Sequence, residues 1–361
     1  MPDHCAACSH VLRDAAALRR RGLVDDAALR YLVSARCCPH ALEAHNSLQY
    51  LARITYETLA ILAVEYEHLT HVHPGHPMLW GTLGEVLTRL GRNDDACLCY
   101  AEFCRLFLLQ RRPDLQRARG GMPAGPQFII GGFSKCATTS LYLYLRKHPD
   151  VVCGPKKEVR YFNDEWGRGP AWYLSHFPAL PRGSGVISGE GTPGYAVTRG
   201  VEQRVAAFDP ALRMIFLVRD PVARTVSHYH QRRRNGLEHR ALEDVVSYEL
   251  DIARCVLSGE LDAAVLPYVG ESLYSFHIDR WRAAMPGQIL VVRTEALATA
   301  PDRILVSVCR FLNLRPWALE TYERWNAGMY EAAPPAVLRR LKTFFARIPF
   351  PLPSGVGALE C

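Results

Sequence analysis

The hydrophobic positions divide the chain into two parts with different periods. From about residue 10 to residue 115, apolar residues recur at helical spacing and no strand pattern appears. Further along, short apolar runs alternate with helical patterns, and the candidate strands are Phe128 to Ile130, Val151 to Cys153, Val186 to Ser188, Met214 to Val218 and Ile289 to Val292. Because continuous aliphatic runs are typical of strands covered on both faces, the pattern predicts an α/β fold with a doubly wound parallel sheet.

The helical part carries a degenerate internal repeat. Gly22 and Asp26 recur as Gly91 and Asp95, in segments near the 34-residue length of a tetratricopeptide unit. The resemblance to that unit is clearest in Trp80, Leu83, Gly84, Leu90, Gly91, Ala96 and Tyr100. We predict three tetratricopeptide-like repeats in an all-α domain over residues 1–115, a linker over 116–126 and a second domain over 127–361.

Composition narrows the class of protein. The 361 residues suit about two domains, and 49% hydrophobic residues suffice for ordinary cores. The longest apolar run, Leu59 to Val64, is far shorter than the roughly 20 residues that span a bilayer. Met1 to His10 is polar, so no secretory signal or transmembrane segment is expected. Twelve scattered cysteines favour reduced thiols and a cytoplasmic location.

Net charge and the spacing of cysteines and histidines give only weak information about the ligands of this protein. The net charge of +7 fits an anionic ligand, but no nucleic-acid motif accompanies it, and we expect no nucleic-acid partner. Cys5 and Cys8 form a CxxC pair without a second pair at zinc-ribbon spacing. Four histidines surround a predicted turn, where a solvated surface is the ordinary explanation: His68, His71, His73 and His76. We predict no metal site.

The segment Phe128 to Lys147, FIIGGFSKCATTSLYLYLRK, predicts a strand, a tight loop and a helix. Glycines at its turn allow a ligand to approach the backbone, and the helix start presents unpaired N–H groups and the positive end of the helix dipole. The ammonium of Lys135 and the hydroxyls of Thr138, Thr139 and Ser140 surround the same small volume. This chemistry suits a phosphate or a sulfate, although an ordinary βα turn has a similar composition.

The loop is not a Walker A sequence, because Lys135 precedes the threonine pair. It resembles the 5′-phosphosulfate loop, GxxKxGTTSL, of sulfotransferases that use 3′-phosphoadenosine 5′-phosphosulfate (PAPS). Ala137 stands where that family most often has glycine, a departure that a negative φ would tolerate. The resemblance implies a P-loop-like phosphosulfate loop whose cofactor-binding residues are Lys135, Cys136, Ala137, Thr138, Thr139 and Ser140.

A second motif follows the strand at Met214 to Val218. The segment RDPVARTVSHY resembles RDPxxRxxSxY, with which PAPS sulfotransferases hold the 3′-phosphate. The resemblance implies that Arg219 and Ser227 bind this phosphate. An arginine fork matches phosphate geometry well. The plainer alternative is a helix-start arginine in a surface ion pair.

The segment Lys157 to Asn163 resembles the part of heparan sulfate and related carbohydrate sulfotransferases that carries the catalytic base. The resemblance implies that Glu158 removes the acceptor proton and that Lys135 is the second catalytic residue. Glu158 could instead pair with a neighbouring cation. Glu190 to Tyr195 also resembles this branch, but Gly191 replaces a lysine near the acceptor site, and Ala327 stands where a later PAPS-contacting loop usually has lysine.

Together these motifs predict sulfuryl transfer from PAPS to an acceptor hydroxyl on a saccharide or other small molecule, with 3′-phosphoadenosine 5′-phosphate as product. The helical repeats would bind a protein partner or a second copy of the chain. One alternative is a catalytically weak nucleotide-binding protein that acts through these repeats. A nucleotide kinase is disfavoured by the order of lysine and threonines.

Overall fold

The computed structural model describes residues 6–40, 42–117, 125–181, 183–258, 260–261, 266–323 and 331–350. The chain divides into two compact units. The first comprises Met1–Gly125, Val152–Lys157 and Gly167–Ser188, and the second Pro126–Val151, Glu158–Trp166 and Gly189–Cys361. The division into domains at residues 115 and 127 stays a prediction.

The first unit is helical. Its helices are α1 (Ala6–Arg20), α2 (Val24–Cys37), α3 (Leu42–Tyr50), α4 (Tyr56–Val72), α5 (Pro77–Arg89), α6 (Asn93–Arg111) and, from a later segment, α8 (Gly169–Leu174). Helices α5 and α6 pack closely because Gly84 leaves room for a ring: a Cβ there would lie 2.6 Å from Cε1 of Tyr100. The hydroxyl of Tyr100 lies 3.0 Å from that of Thr88. An N-terminal helical unit is therefore present, while its assignment to tetratricopeptide repeats stays a prediction.

The cysteines of the first unit differ from the expectation of reduced thiols. Cys8 on α1 forms a disulfide with Cys38, which follows α2. The spacing of these two cysteines, thirty residues apart, gives no signal for this pairing, because it depends on how α1 and α2 pack. Cys5 lies outside the described residues. Within the described ranges, no cluster of three or more His, Cys, Asp or Glu side chains is arranged to hold a metal ion.

The second unit contains a four-stranded parallel sheet. Its strands are β1 (Phe128–Gly132), β2 (Gly189–Glu190), β3 (Arg213–Val218) and β4 (Ile289–Arg293). The order across the sheet is β2-β1-β3-β4, and all neighbouring pairs are parallel. All of β1 is buried, and so is β3 from Met214 onward.

Two of the predicted strands are absent from this sheet. The runs at residues 151–153 and 186–188 form no regular strand, and β2 begins just after the second run, at Gly189. A short buried apolar run does not by itself distinguish a strand from irregular chain. Gly189 pairs with Phe128 and leaves space for its ring, since a Cβ at Gly189 would lie 2.5 Å from Cε1 of Phe128.

Helices accompany the sheet within the second unit. They are α7 (Thr138–Lys147), α9 (Val201–Phe208), α10 (Pro221–Arg234), α11 (Leu242–Leu257), α12 (Tyr274–Ala284), α13 (Thr294–Thr299), α14 (Pro301–Phe311) and α15 (Pro335–Phe345). In the described part of the chain, no helix combines the length and hydrophobicity needed to cross a membrane.

Candidate active site

The carboxyl ends of β1 and β3 lie side by side, because the two strands are neighbours and parallel. Strand β1 leads into the loop 133–137 and then α7, and β3 leads through Arg219 and Asp220 into α10. The N–H of Phe133 donates to the carbonyl oxygen of Leu217 at 3.0 Å, which fixes the start of the loop on β3. Both predicted anion-binding motifs thus follow adjacent strands at one edge of the sheet, where ligands of parallel α/β sheets bind.

Arg219 reaches the loop directly. Its guanidinium Nη1 donates to the carbonyl oxygen of Lys135 at 3.4 Å. Asp220, the next residue, accepts from the N–H of Ala223 at 2.7 Å and caps α10, whose first residue is Pro221. The cap and the proline at the first helical position specify where α10 begins. The direction in which Arg219 leaves β3 is therefore set by local sequence.

The loop has two residues in the left-handed region. Lys135 has φ of 69° and Ala137, directly before α7, has φ of 62°. The negative φ that would make an alanine easy to accommodate at 137 is therefore not the conformation found. A left-handed residue with a Cβ costs roughly 1–2 kcal/mol relative to the right-handed form. The usual glycine would avoid this strain.

Arg224 supports the same loop through hydrogen bonds. No local sequence pattern predicts this role. The side chain is fully buried, and its Nε donates to the carbonyl oxygen of Ser134 at 3.1 Å. Its Nη1 donates to the carbonyl oxygens of Tyr268 at 2.8 Å and Pro267 at 3.2 Å, and Nη2 pairs with Glu271. One buried guanidinium therefore joins the loop to the segment before α12.

Lys135 is the cation of the loop, and its side chain is partly buried. Burial lowers the pKa of its ammonium, and the positive charges of Arg234, Arg219 and Arg224 lower it further. Positive charge is therefore concentrated at this edge. An incoming anion would relieve the mutual repulsion of these groups.

The hydroxyl residues take the positions that the motifs predict along their helices. Thr138, Thr139 and Ser140 form the first turn of α7, where backbone N–H groups lack helical partners. Thr138 and Ser140 are buried and Thr139 is half-buried. Ser227 is buried on α10, three residues after Arg224 and so on the same side of the helix. Cys136 is buried too, and its carbonyl accepts from the hydroxyl of Thr294 at 2.9 Å.

Glu158 lies on a separate segment, whose next residue is bound to the end of β2. The N–H of Val159 donates to Oε2 of Glu190 at 3.3 Å. Glu190 is buried and also accepts from the hydroxyls of Thr192 at 2.6 Å and Tyr195 at 3.0 Å. Strand β2 lies next to β1, and β1 leads into the loop 133–137. The chain beside Glu158 is therefore bound to the strand adjacent to β1.

Gly191 and Ala327 are the two positions where the motifs usually have lysine, and the structure describes only the first of them. Gly191 follows β2 and is buried, and as a glycine it supplies no positive charge at this position. Ala327 lies outside the described residues. The resemblance of Glu190 to Tyr195 to the carbohydrate branch does not predict the anchoring role of Glu190. The signal in the sequence is a carboxylate shortly after a predicted buried strand, because a carboxylate that is buried there needs several donors.

Several known proteins are similar to this chain. It is 35% identical over 191 residues to mouse (Mus musculus) heparan sulfate glucosamine 3-O-sulfotransferase 3B1, covering 53% of this chain and 46% of that protein. It is 34% identical over 220 residues to human (Homo sapiens) heparan sulfate glucosamine 3-O-sulfotransferase 6, covering 60% of each. The human bifunctional heparan sulfate N-deacetylase/N-sulfotransferase 3 is 30% identical over 198 residues, 53% of this chain and 22% of that protein.

The chain thus spans about half the length, or less, of the first curated relatives it matches, with 46% of mouse 3-O-sulfotransferase 3B1 and 22% of the bifunctional enzyme. Among solved structures, a sulfotransferase from Alicyclobacillus acidocaldarius aligns with a TM-score of 0.49 at 26% identity, over 62% of this chain and 92% of that one. The model of the family described as "Sulfotransferase domain" matches residues 126–324, more than half of the chain, and this range contains Lys135, Glu158, Arg219 and Ser227. The chain therefore belongs to the sulfotransferase domain family.

Proposed function

We propose that this chain transfers a sulfuryl group from PAPS to a hydroxyl of a saccharide and releases 3′-phosphoadenosine 5′-phosphate. The observation that carries the proposal is the contact of Arg219 with the backbone of Lys135 at adjacent strand ends. Two motifs that lie more than eighty residues apart in sequence meet there. Family membership supports the chemistry, and the names of the relatives support a saccharide acceptor.

The donor set fits a nucleotide with an anion at each end. The ammonium of Lys135, the hydroxyls of the first turn of α7 and the N–H groups of that turn would hold the 5′-phosphosulfate. Arg219 and Ser227 would hold the 3′-phosphate. Arg224 would not bind the ligand, because its donors are already used by Ser134, Tyr268 and Glu271. It would keep the loop in place.

PAPS supplies an activated sulfuryl group, and the protein positions the reactants and neutralises charge. Lys135 stabilises the negative charge that grows on the leaving oxygen. Glu158 accepts the proton of the attacking hydroxyl, which makes the acceptor oxygen a better nucleophile. Fixed positions for these two groups supply much of the remaining acceleration, as in phosphoryl transfer.

A nucleotide-binding protein with little turnover is the second candidate. Gly191 leaves one cation fewer beside the predicted acceptor position, and Ala137 gives the loop a strained residue. On this view the N-terminal helices, with tetratricopeptide-like repeats, would bind a protein partner or a second copy. We also propose a cytoplasmic location for either activity, which the scattered cysteines support and the disulfide between Cys8 and Cys38 does not.

A transfer assay separates the two candidates. The full chain is incubated with radiolabelled PAPS and a panel of desulfated heparan-type oligosaccharides and simple hydroxyl acceptors, and labelled product and released 3′-phosphoadenosine 5′-phosphate are both measured. We expect acceptor-dependent transfer that Lys135→Ala abolishes. Binding of 3′-phosphoadenosine 5′-phosphate without transfer to any acceptor would favour the second candidate and overturn the first.

A further inference from the structure

The segment that leads to Glu158 is held by helices of the first unit. Segment 152–157 belongs to that unit, although it lies within the family match. The ammonium of Lys156 donates to both carboxylate oxygens of Glu85 on α5, at 2.9 and 3.0 Å. The N–H of Lys157 donates to the hydroxyl of Tyr50 at the end of α3, at 3.2 Å. The last two residues before Glu158 are therefore both bound to helices.

The ion pair between Glu85 and Lys156 is shielded from water. The side chain of Glu85 is 8% exposed and that of Lys156 is 17% exposed. Arg89, one turn further along α5, donates from Nε to Oε1 of Glu85 at 2.9 Å. Burial would raise the pKa of Glu85, but Lys156 and Arg89 together hold it below its ordinary value. Glu85 is thus a fixed negative charge to which Lys156 is bound.

The same helix packs tightly against segment 152–157. A Cβ at Gly81 on α5 would lie 3.0 Å from Cβ of Pro155 and 3.0 Å from the ring of Phe103. Only a glycine permits this approach without displacing a neighbour. Gly154 is confined more tightly still, since a Cβ there would lie 2.0 Å from the carbonyl oxygen of His176. Segment 152–157 has little freedom to shift along or away from α5.

We propose that Glu85 and Lys156 are positioning residues for Glu158. Holding Lys156 and the backbone of Lys157 on α5 and α3 determines where the chain delivers the next residue, and the N–H of Val159 is bound just beyond it. The inference rests on the proposed function, since it assigns Glu158 as the base. It also gives the N-terminal helices a role in the reaction that does not require a partner. A small misplacement of a reacting group lowers a rate steeply.

The test compares variants of the full chain. Lys156→Met and Glu85→Gln remove the ion pair, Lys156→Arg keeps it, and Glu102→Gln removes an exposed pair with Arg105 on α6 as the matched control. We expect kcat to fall about 10- to 100-fold in the first two. The KM for PAPS and the Kd of 3′-phosphoadenosine 5′-phosphate should change less than about twofold, because the loop site is untouched. Lys156→Arg should recover most of kcat, and Glu102→Gln should match the wild type.

Hydrogen–deuterium exchange gives a second readout that needs no turnover. The amides of Lys157 and Val159 should exchange faster in Lys156→Met, while those of loop 133–137 should not. Unchanged exchange at these amides, or unchanged kcat in a turning-over enzyme, would overturn the positioning role. A parallel loss of kcat and nucleotide affinity would overturn it too, because it would indicate general loss of the fold. Absence of transfer by the wild type counts against the proposed function instead, and the exchange result still decides the positioning role.

Discussion

Arg224 and Ser134 are joined by a hydrogen bond of 3.1 Å from the guanidinium Nε to the carbonyl oxygen, and Arg224 is completely buried. A buried charge is tolerated only with partners, and here two further carbonyls and Glu271 supply them. The anion-binding loop is therefore supported by a group that is itself unavailable to a ligand. Preorganised support of this kind keeps donors aimed at a fixed point.

Replacing Arg224 by lysine should damage both stability and binding. A lysine keeps the charge but cannot donate to Ser134, Tyr268 and Glu271 together. We expect the free energy of unfolding to fall by about 3 kcal/mol. The affinity for 3′-phosphoadenosine 5′-phosphate should fall as well, since the loop loses its support. Urea unfolding and calorimetry measure the two effects.

The control for that variant is Arg232→Lys, which disturbs a half-buried arginine that donates to the hydroxyl of Tyr268 at 3.1 Å. Its effect should stay within about 1 kcal/mol. Near-wild-type stability of Arg224→Lys would show that the hydrogen bonds of Arg224 do not support the loop.

Substitutions at Ala137 test how much its left-handed backbone conformation lowers the stability of the protein. Ala137→Gly removes the strain of φ at 62° but increases the freedom of the unfolded chain. We expect a gain of up to about 1 kcal/mol in the free energy of unfolding and undiminished nucleotide affinity. Ala137→Val should lower both, because a β-branched residue resists the left-handed region. Equal tolerance of glycine and valine would contradict a left-handed residue 137.

Nucleotide binding should weaken at alkaline pH because of Lys135. Burial and neighbouring arginines place its pKa below the ordinary 10.5. Only the protonated form attracts the 5′-phosphate of this nucleotide, so raising the pH through the lowered pKa removes charge and affinity. We expect the Kd of 3′-phosphoadenosine 5′-phosphate to rise before pH 10.5 in the wild type. Lys135→Arg, which stays charged, should show a flatter profile. Identical profiles for the two proteins would exclude Lys135 as the titrating group.

Removing the proposed base should affect turnover and spare binding. Glu158→Gln keeps the shape of the side chain but cannot accept a proton. We expect kcat to fall about 10²- to 10⁴-fold with little change in nucleotide affinity. Glu320→Gln, at an exposed carboxylate, serves as the matched control. A Glu158→Gln enzyme with more than half of the wild-type kcat would assign the base elsewhere.

Local patterns predicted the parts of this site that are contiguous in sequence. The aliphatic runs predict strands β1, β3 and β4 to within two residues, because they are bounded by glycine or by charged residues. The loop and the start of α10 followed from Lys135, the threonine pair and Pro221. Strand β2 was missed, since two paired residues leave almost no periodic signal.

Contacts between distant residues could not be predicted in this way. The bond from Arg224 to Ser134 spans 90 positions, and the segment RDPVARTVSHY does not indicate it. Lys156 and Glu85 are 71 positions apart and carry no shared motif. Such pairings are set by tertiary packing. The local periodicity of a single sequence carries no information about them.

The central claim is that Lys135 and Arg219 hold opposite ends of one nucleotide, and binding of mononucleotides tests it most directly. Calorimetric titration of adenosine 5′-phosphate and adenosine 3′-phosphate into the wild type, Lys135→Ala and Arg219→Ala separates the two ends. We predict that Lys135→Ala weakens binding of the 5′-phosphate only and that Arg219→Ala weakens binding of the 3′-phosphate only. Equal losses for both nucleotides in both variants, or no loss in either, would contradict the account.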